Sequence, residues 1–269
     1  MTPKALVLSG YGINCEVETQ RAFRRAGADA TVMHLNDLLE SPEFLLQQHI
    51  FAVPGGFSFG DHVGSGKILA NRLRYRLGDA LQDFVRSGKL IIGICNGFQV
   101  LVKMGALPML DGDFEQQVTL THNDSGRFED RWVQLRADAG TVCVWTRGIA
   151  SMELPVRHGE GKFVPRDGSI TKQLIAGGQI ALRYARSDGA VAEGAYPANP
   201  NGSVDDIAGI CDPSGRIFGL MPHPEAFLDG TNHPRWTREG LQPEGAGLAI
   251  FRNAVAFARE TFTRARAAY

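Results

Sequence analysis

The chain contains the stretch Leu90-Ile91-Ile92-Gly93-Ile94-Cys95-Asn96-Gly97-Phe98-Gln99-Val100-Leu101. The apolar run over Leu90–Ile94 predicts a buried strand, and a helix is predicted to follow directly. Glycines on both sides of Cys95 permit a tight turn between the two elements and leave the thiol exposed above the sheet. The stretch is thus the thiol version of a nucleophile elbow, and it predicts that Cys95 is a nucleophile.

The predicted position of this thiol favours reactivity. At the start of a helix, unsatisfied N–H groups and the helix dipole stabilise a thiolate. An arbitrary free cysteine is more often a buried structural residue. The two glycines and the change from strand to helix favour the catalytic interpretation for Cys95.

Strands and helices alternate through the first hundred residues, which is typical of a parallel sheet. The predicted strands besides Leu90–Ile94 are Ala5–Leu8, Ala30–Leu35 and Ile50–Val53. The predicted helices are Glu16–Ala26, Glu43–Gln48 and helical segments that continue to Val85.

Shorter strand-like pieces follow, and they predict antiparallel additions to the sheet. These pieces are Trp132–Leu135, Gly140–Trp145 and Gln179–Tyr184, then a hairpin of Ala208–Cys211 with Ile217–Leu220, and a closing helix from Gly245 to Arg266. No repeat or linker interrupts the chain. We therefore expect an α/β fold: a single three-layer, doubly wound, flavodoxin-like domain over residues 1–269, with a mainly parallel sheet and inserted antiparallel strands.

Composition excludes several classes of function. The 269 residues carry 28 Lys+Arg and 29 Asp+Glu, a net charge of −1, so there is no general attraction to nucleic acid or anionic lipid. The apolar runs are too short for a membrane span, and no signal peptide is expected. The four cysteines are scattered without a C-x-x-C pair, which predicts neither a metal site nor disulfides. A cytoplasmic location is expected.

A cysteine nucleophile needs a base, and His223 is the candidate among seven histidines. Pro224 biases His223 toward an extended backbone, so the side chains of His223 and Glu225 are expected to lie on the same side. Glu225 would then orient the imidazole while His223 moves the proton. His158, in a Gly-Glu-Gly context, is a weaker alternative that looks more like part of a binding or ordering loop.

A glycine pair after a strand predicts an oxyanion site. Gly55 and Gly56 follow Ile50–Val53, where the backbone can turn and point N–H groups at a ligand oxygen. The amides of Gly56 and Asn96 are expected to act together.

Two glycine-rich segments resemble nucleotide-binding loops, but neither meets all the requirements of its motif. In Gly60–Lys67 the spacing is one residue too long for a P-loop, and Ile68 stands where Ser or Thr is required. Gly10–Cys15 lacks the last glycine of the dinucleotide fingerprint. No cofactor is therefore expected in this chain.

The combined motifs resemble the class I, triad-type glutamine amidotransferases. The order is Pro54-Gly55-Gly56, then Gly93–Gln99, then His223-Pro224-Glu225. The segments Phe57–Asp61, Asn123–Glu129 and His158–Phe163 further resemble the formylglycinamidine-synthase branch of that family, in its separate-subunit form. The resemblance covers most of the chain.

This resemblance implies a glutaminase. Cys95 would attack the side-chain amide of L-glutamine, His223 and Glu225 would complete the triad, and Gln99 would help hold the substrate. Ammonia would pass to a synthetase subunit that uses ATP and Mg, with a small accessory subunit also present. The longer segment Gly230–Ala246 has no assigned role, and contact with a partner is one hypothesis for it.

Two other interpretations remain open from the residues. The same elbow would serve a stand-alone cysteine hydrolase, such as a peptidase or γ-glutamyl hydrolase, which would turn over without a partner. A non-enzymatic α/β protein could instead use Cys95 as a redox sensor. The base and the glycine pair argue against the second of these.

Overall fold

The structure is a computed structural model that describes residues 1–267, with side chains to residue 263. Its strands are β1 Lys4–Ser9, β2 Asp29–His34, β3 Ile50–Val53, β4 Leu90–Ile94, β5 Val118–Thr121, β6 Glu129–Ala137, β7 Ser151–His158, β8 Lys162–Pro165, β9 Ile180–Ala185, β10 Ile207–Cys211 and β11 Ile217–Leu220. Its helices are α1 Glu16–Arg25, α2 Leu35–Glu40, α3 Glu43–Leu46, α4 Lys67–Arg86, α5 Asn96–Met104, α6 Gly168–Ala176, α7 Trp236–Glu239 and α8 Leu248–Ala267.

A nine-stranded sheet runs through the centre in the order β2-β1-β3-β4-β11-β10-β9-β6-β7. The first five strands of this order are parallel, and the remaining four join them in antiparallel pairs. The parallel half has the 2-1-3-4-5 order of flavodoxin-like folds. A separate two-stranded sheet pairs β5 with β8. The predicted mainly parallel sheet with antiparallel additions is confirmed.

Helices cover both faces of the parallel half, which explains why its central strands β3, β4 and β11 are apolar throughout. Every residue of β3 and β4 is buried. On one face α1 packs against α8, with Phe23 edge-on to Phe251 at 5.0 Å between ring centroids. On the other, α4 packs against α5. No described helix combines the length and apolar character needed to span a bilayer.

The predicted hairpin of β10 and β11 is confirmed, and one carboxylate organises its turn. Asp212 is buried, and its Oδ1 accepts hydrogen bonds from the backbone N–H groups of Arg216 and Ile217, both at 2.8 Å. This turn fixes the start of β11, the strand that leads to His223.

The predicted strand Gly140–Trp145 is wrong. These residues form a loop that ends in a short 3-10 turn over Val144–Thr146. Their N–H groups bond to other loops, Val142 to Gly178 and Val144 to Gly215, both at 2.9 Å. The apolar run indicated burial correctly, because Trp145 is fully buried. It did not indicate a strand ladder.

The predicted strand Ala30–Leu35 ends one residue early, because a helix that the pattern missed begins there. The imidazole Nδ1 of His34 accepts the N–H of Asn36 at 3.2 Å and caps α2. The short predicted helix over Glu43–Gln48 is observed as α3 over Glu43–Leu46. The closing helix is confirmed as α8, Leu248–Ala267.

The contact between α5 and β3 yields a stability prediction. A Cβ on Gly97 would lie 1.8 Å from the carbonyl oxygen of Val53, whereas a Cβ on Gly78 in α4 would meet nothing within 4 Å. Gly97→Ala should lower the free energy of unfolding by about 1–3 kcal/mol, through overpacking. Gly78→Ala is the matched control and should raise it by about 0.5–1 kcal/mol, because alanine favours a helix interior.

Urea unfolding of both variants, monitored by circular dichroism, measures these changes. An unchanged midpoint for Gly97→Ala would contradict the close approach of α5 to β3.

Candidate active site

Cys95 lies in the turn between β4 and α5, as the elbow predicted. Its backbone has φ 52° and ψ −106°, a conformation that L-residues rarely adopt. Such strain costs about 1–3 kcal/mol and clusters at functional sites. Gly93 is needed beside it, because a Cβ there would lie 2.5 Å from the carbonyl oxygen of Gly97. The turn therefore presents the Cys95 side chain at the carboxyl edge of the sheet.

The imidazole of His223 is held by Glu225. His223 Nδ1 and Glu225 Oε1 lie 2.5 Å apart, and both side chains are buried. The backbone N–H of His223 also donates to the carbonyl of Pro155 at 2.8 Å. Nδ1 is thereby occupied, and Nε2 has no hydrogen-bond partner among the described residues. The ring is oriented with one nitrogen available for chemistry.

The local backbone differs from the extended His223–Glu225 segment that the sequence predicted. His223 is extended, with φ −105° and ψ 90°, but Pro224–Ala226 form a 3-10 turn. The fixed φ of proline suits the first position of such a turn. The predicted contact between the two side chains is present, although a tight turn rather than an extended segment produces it.

Electrostatics favour a proton on His223. Burial alone would lower the pKa of this imidazole, but the charge of Glu225 and the neighbouring cysteines raise it well above its ordinary value. The ring is therefore suited to hold a proton taken from a thiol.

Three side chains converge at Gly55. A Cβ built on this glycine would lie 2.9 Å from Cε1 of His223, 3.5 Å from Cβ of Cys95 and 3.4 Å from Sγ of Cys15. The absence of a side chain at Gly55 is what lets the elbow and the histidine approach each other. The structure thus brings Cys95, His223 and Glu225 together from three separate segments.

The predicted oxyanion amides lie in the surrounding backbone. Gly56 has φ 146°, and a Cβ there would meet the carbonyl of Gly12 at 2.4 Å. Neither the N–H of Gly56 nor that of Asn96 donates to another backbone group within the described range. Both amides are therefore free to bind a ligand oxygen, and their assignment to an oxyanion stays a prediction.

The side chains of Asn96 and Gln99 join the elbow to a neighbouring loop. Asn96 Oδ1 accepts the N–H of Ser58 at 3.1 Å, and its Nδ2 donates to Gln99 Oε1 at 2.9 Å. Gln99 Nε2 donates to the carbonyl of Glu160 at 2.6 Å. Gln99 thus positions the loop around Glu160, and its direct contact with a substrate remains a prediction.

His158 belongs to a buried polar network and not to the triad. Its Nδ1 lies 3.1 Å from Asn123 Oδ1, which also accepts the N–H of Gly161 at 3.0 Å. Asn201 reaches the other ring nitrogen at 3.5 Å. Burial, reinforced by the charge of His223, lowers the pKa of His158 to about 3. A neutral His158 orders the loop that carries Glu160, as its Gly-Glu-Gly context suggested.

Residues 2–258 match the sequence model of a protein family described as the CobB/CobQ-like glutamine amidotransferase domain. The match covers more than half of the chain. The chain belongs to this family.

Individual relatives match this amidotransferase in sequence over nearly its full length. It is 50% identical over 259 residues to the phosphoribosylformylglycinamidine synthase subunit PurQ of Dehalococcoides mccartyi. The aligned region covers 96% of this chain and 98% of that protein. It is 44% identical over 268 residues to the subunit of the same name from Methanococcus maripaludis, and the aligned region covers 96% of this chain and 98% of that protein. A solved structure described as PurLQS from Thermotoga maritima matches with a TM-score of 0.71 and 28% identity, covering 96% of this chain and 99% of that one.

Sequence reasoning missed Cys15 as a member of the site of this amidotransferase. Cys15 follows β1 and faces His223 from the loop that precedes α1. One signal was available: the carboxyl ends of parallel strands meet at one edge of a sheet, and Cys15 lies just beyond such an end. Asn201 was missed as well, and Asn123 was named only as part of the segment Asn123–Glu129, without its hydrogen bonds to the loop of His158.

Residues 230–246 of the amidotransferase are anchored by ion pairs, and Asn232 of this segment lines a cavity that also includes Cys15 and Glu225. His233 Nε2 and Arg235 both bind Glu153 on β7, at 3.2 and 3.0 Å. The segment and the neighbouring residues line a cavity of about 320 Å³ that includes Trp236.

The low pKa of His158 predicts a pH-dependent stability. A histidine that stays neutral when folded but titrates near 6.5 when unfolded supports folding at neutral pH and loses that contribution as pH falls. Between about pH 6 and pH 4 the parent protein should lose about 1.4 kcal/mol per pH unit relative to His158→Gln. Denaturant unfolding at several pH values measures the difference, and equal slopes for the two proteins would contradict a neutral His158.

The pairing of Glu225 with His223 predicts a separate effect on titration. Glu225→Gln removes the charge that raises the pKa of His223, so the imidazole should titrate at a lower pH in histidine-selective NMR. Glutaminase turnover should fall about 10²–10⁴-fold, as when the carboxylate of a comparable triad is replaced by its amide. The exposed Glu43 provides the matched control, because Glu43→Gln should change neither quantity. An unshifted His223 resonance in Glu225→Gln would refute the pairing.

Proposed function

We propose that this chain is the glutaminase subunit of phosphoribosylformylglycinamidine synthase. Support comes from its membership of the glutamine amidotransferase family and from relatives of that name that are 44–50% identical over nearly the whole chain. The observation that carries the chemistry is the convergence of Cys95 and the His223–Glu225 pair on Gly55. One glutaminase domain over residues 1–269 is part of the proposal.

The first half of the reaction forms a thioester. His223 Nε2 takes the proton of the Cys95 thiol, and the thiolate attacks the side-chain amide carbon of L-glutamine. The N–H groups of Gly56 and Asn96 hold the oxygen that becomes negative. His223 then returns the proton to the leaving nitrogen, so ammonia departs and a γ-glutamyl thioester remains on Cys95.

The second half regenerates the enzyme. His223 takes a proton from water, and the resulting hydroxide attacks the thioester carbon. The same two amides hold the second oxyanion. Collapse of this intermediate releases glutamate and returns a proton to the Cys95 sulfur. Throughout both halves Glu225 keeps Nδ1 oriented and stabilises the imidazolium.

Ammonia is the product that a partner uses. The proposed partner is the synthetase subunit, which converts formylglycinamide ribonucleotide to formylglycinamidine ribonucleotide with ATP and Mg, in de novo purine biosynthesis. A small accessory subunit is also part of the proposed assembly. This chain itself uses no cofactor in the proposal. A cytoplasmic location fits its four free cysteines.

Replacing the nucleophile tests this assignment. In the complex reconstituted with the synthetase partner, Cys95→Ser should reduce glutamine-dependent synthesis by on the order of 10³-fold or more. Synthesis from added ammonia should be retained, because only the ammonia source is lost. The measurement is formylglycinamidine ribonucleotide formation with each nitrogen donor.

Cys143→Ser is the matched control, because Cys143 is a buried cysteine outside the triad. It should retain both activities. Loss of both activities in Cys95→Ser would indicate an assembly defect and contradict the assigned role. Strong glutamate release by the isolated parent chain, unaffected by the partner, would instead favour a stand-alone hydrolase.

A further inference from the structure

A second cysteine stands beside the proposed base and has no part in the reaction described above. Cys15 is the residue that precedes α1, and its carbonyl accepts both the N–H and the Oγ1–H of Thr19, at 3.1 and 2.7 Å. These bonds fix its backbone. Its thiol, which is partly exposed, donates to the adjacent Asn14 Oδ1 at 3.3 Å and also interacts with the imidazole of His223. The Sγ atom is thus held beside the imidazole.

The thiol of Cys15 lies close to the triad. Cys15, His223 and Glu225 each offer a potential metal-ligating atom, and these atoms all lie within 4.8 Å of one another. Cys95 lies beside the same imidazole: its Cβ is 3.5 Å from a Cβ built on Gly55, its thiol interacts with His223, and its Sγ lies 3.6 Å from the carbonyl oxygen of Arg157. Two thiols therefore flank one imidazole.

The imidazole has an available nitrogen in this cluster. His223 is only 3% exposed, yet its Nε2 has no hydrogen-bond partner in the described part of the chain. Glu225 occupies Nδ1 at 2.5 Å, so the lone pair of Nε2 points away from the carboxylate. A histidine that binds a metal through one nitrogen and a carboxylate through the other is the usual arrangement around zinc.

The type of ligand selects the type of metal. Two sulfurs and one imidazole nitrogen form a soft set that suits Zn²⁺, with a water molecule in the fourth tetrahedral position. Mg²⁺ and Ca²⁺ prefer oxygen ligands, which this set lacks. Cys15 supplies the third protein ligand that such a zinc site needs, because Cys95 and His223 alone would supply only two.

We propose that Cys15, Cys95 and His223 form an inhibitory site for one Zn²⁺, with Glu225 orienting the histidine. Binding releases two protons to solvent, that of Cys15 and that shared between Cys95 and His223 Nε2, since only thiolates and a neutral imidazole nitrogen ligate the metal. The metal then occupies both the sulfur that would attack glutamine and the nitrogen that would take its proton. Glutaminase activity stops while zinc is bound, and a chelator restores it.

Direct metal binding tests this site without relying on the proposed reaction. The purified full chain, kept reduced, is titrated with Zn²⁺ by calorimetry and with Co²⁺ by absorbance, which reports thiolate-to-cobalt charge transfer. We expect one equivalent to bind. Cys15→Ser should weaken binding at least about tenfold, which is about 1.4 kcal/mol, and should remove about half of the charge-transfer band, because one of two thiolates is lost.

Cys143→Ala is the matched control, since it removes a buried cysteine outside the cluster. It should bind both metals like the parent. Equal binding by the parent and by Cys15→Ser would overturn the proposal, whatever the outcome of the glutaminase assays. Zinc inhibition is measured for each variant relative to its own metal-free rate, and Cys15→Ser should require at least about ten times more zinc for half inhibition.

A measurement on the parent chain alone covers the case in which Cys15→Ser does not fold. Zinc should protect Cys15 from alkylation by iodoacetamide, as read by peptide mass spectrometry, and a chelator should abolish that protection. Alkylation of Cys15 at the same rate with and without zinc would refute the site.

Discussion

The parallel pairing of β4 with β11 holds Cys95 and His223, the proposed nucleophile and base, in one place. The two strands are aligned so that Ile94 lies opposite Leu220, and the N–H of Cys95 donates to the carbonyl of Leu220 at 2.8 Å. Cys95 directly follows the end of β4, and Met221 and Pro222 connect the end of β11 to His223. The strained backbone of Cys95 persists because the strand, this hydrogen bond and the packing of α5 on β3 all determine it together.

The antiparallel strands build the other wall of the site. β7 supplies the Pro155 carbonyl that binds the N–H of His223, and it ends at His158 in the buried network. That network holds the loop around Glu160, to which Gln99 of the elbow helix donates. An elbow on a parallel sheet alone would leave the histidine unsupported on one side.

The pKa values of two neighbouring buried histidines are shifted in opposite directions. Glu225 stabilises positive charge on His223, whereas His158 has only neutral amide partners and stays uncharged. The charge of His223 further disfavours a proton on His158. In the proposed reaction proton transfer therefore falls to His223, the ring that the thiols of Cys15 and Cys95 flank.

The sequence by itself determined the alternation of strands and helices, the elbow at Cys95, the glycine pair and the His223–Glu225 pair, because each depends on neighbours within a few residues. It did not determine that the apolar run Gly140–Trp145 is buried as a loop, since burial alone does not specify a hydrogen-bond ladder. Only the tertiary structure placed Cys15 beside His223 and assembled Asn123, Asn201 and His158 into a network. These contacts join segments that are far apart in the chain. The order in which the strands pair decides which segments meet, and no local sequence pattern encodes that order.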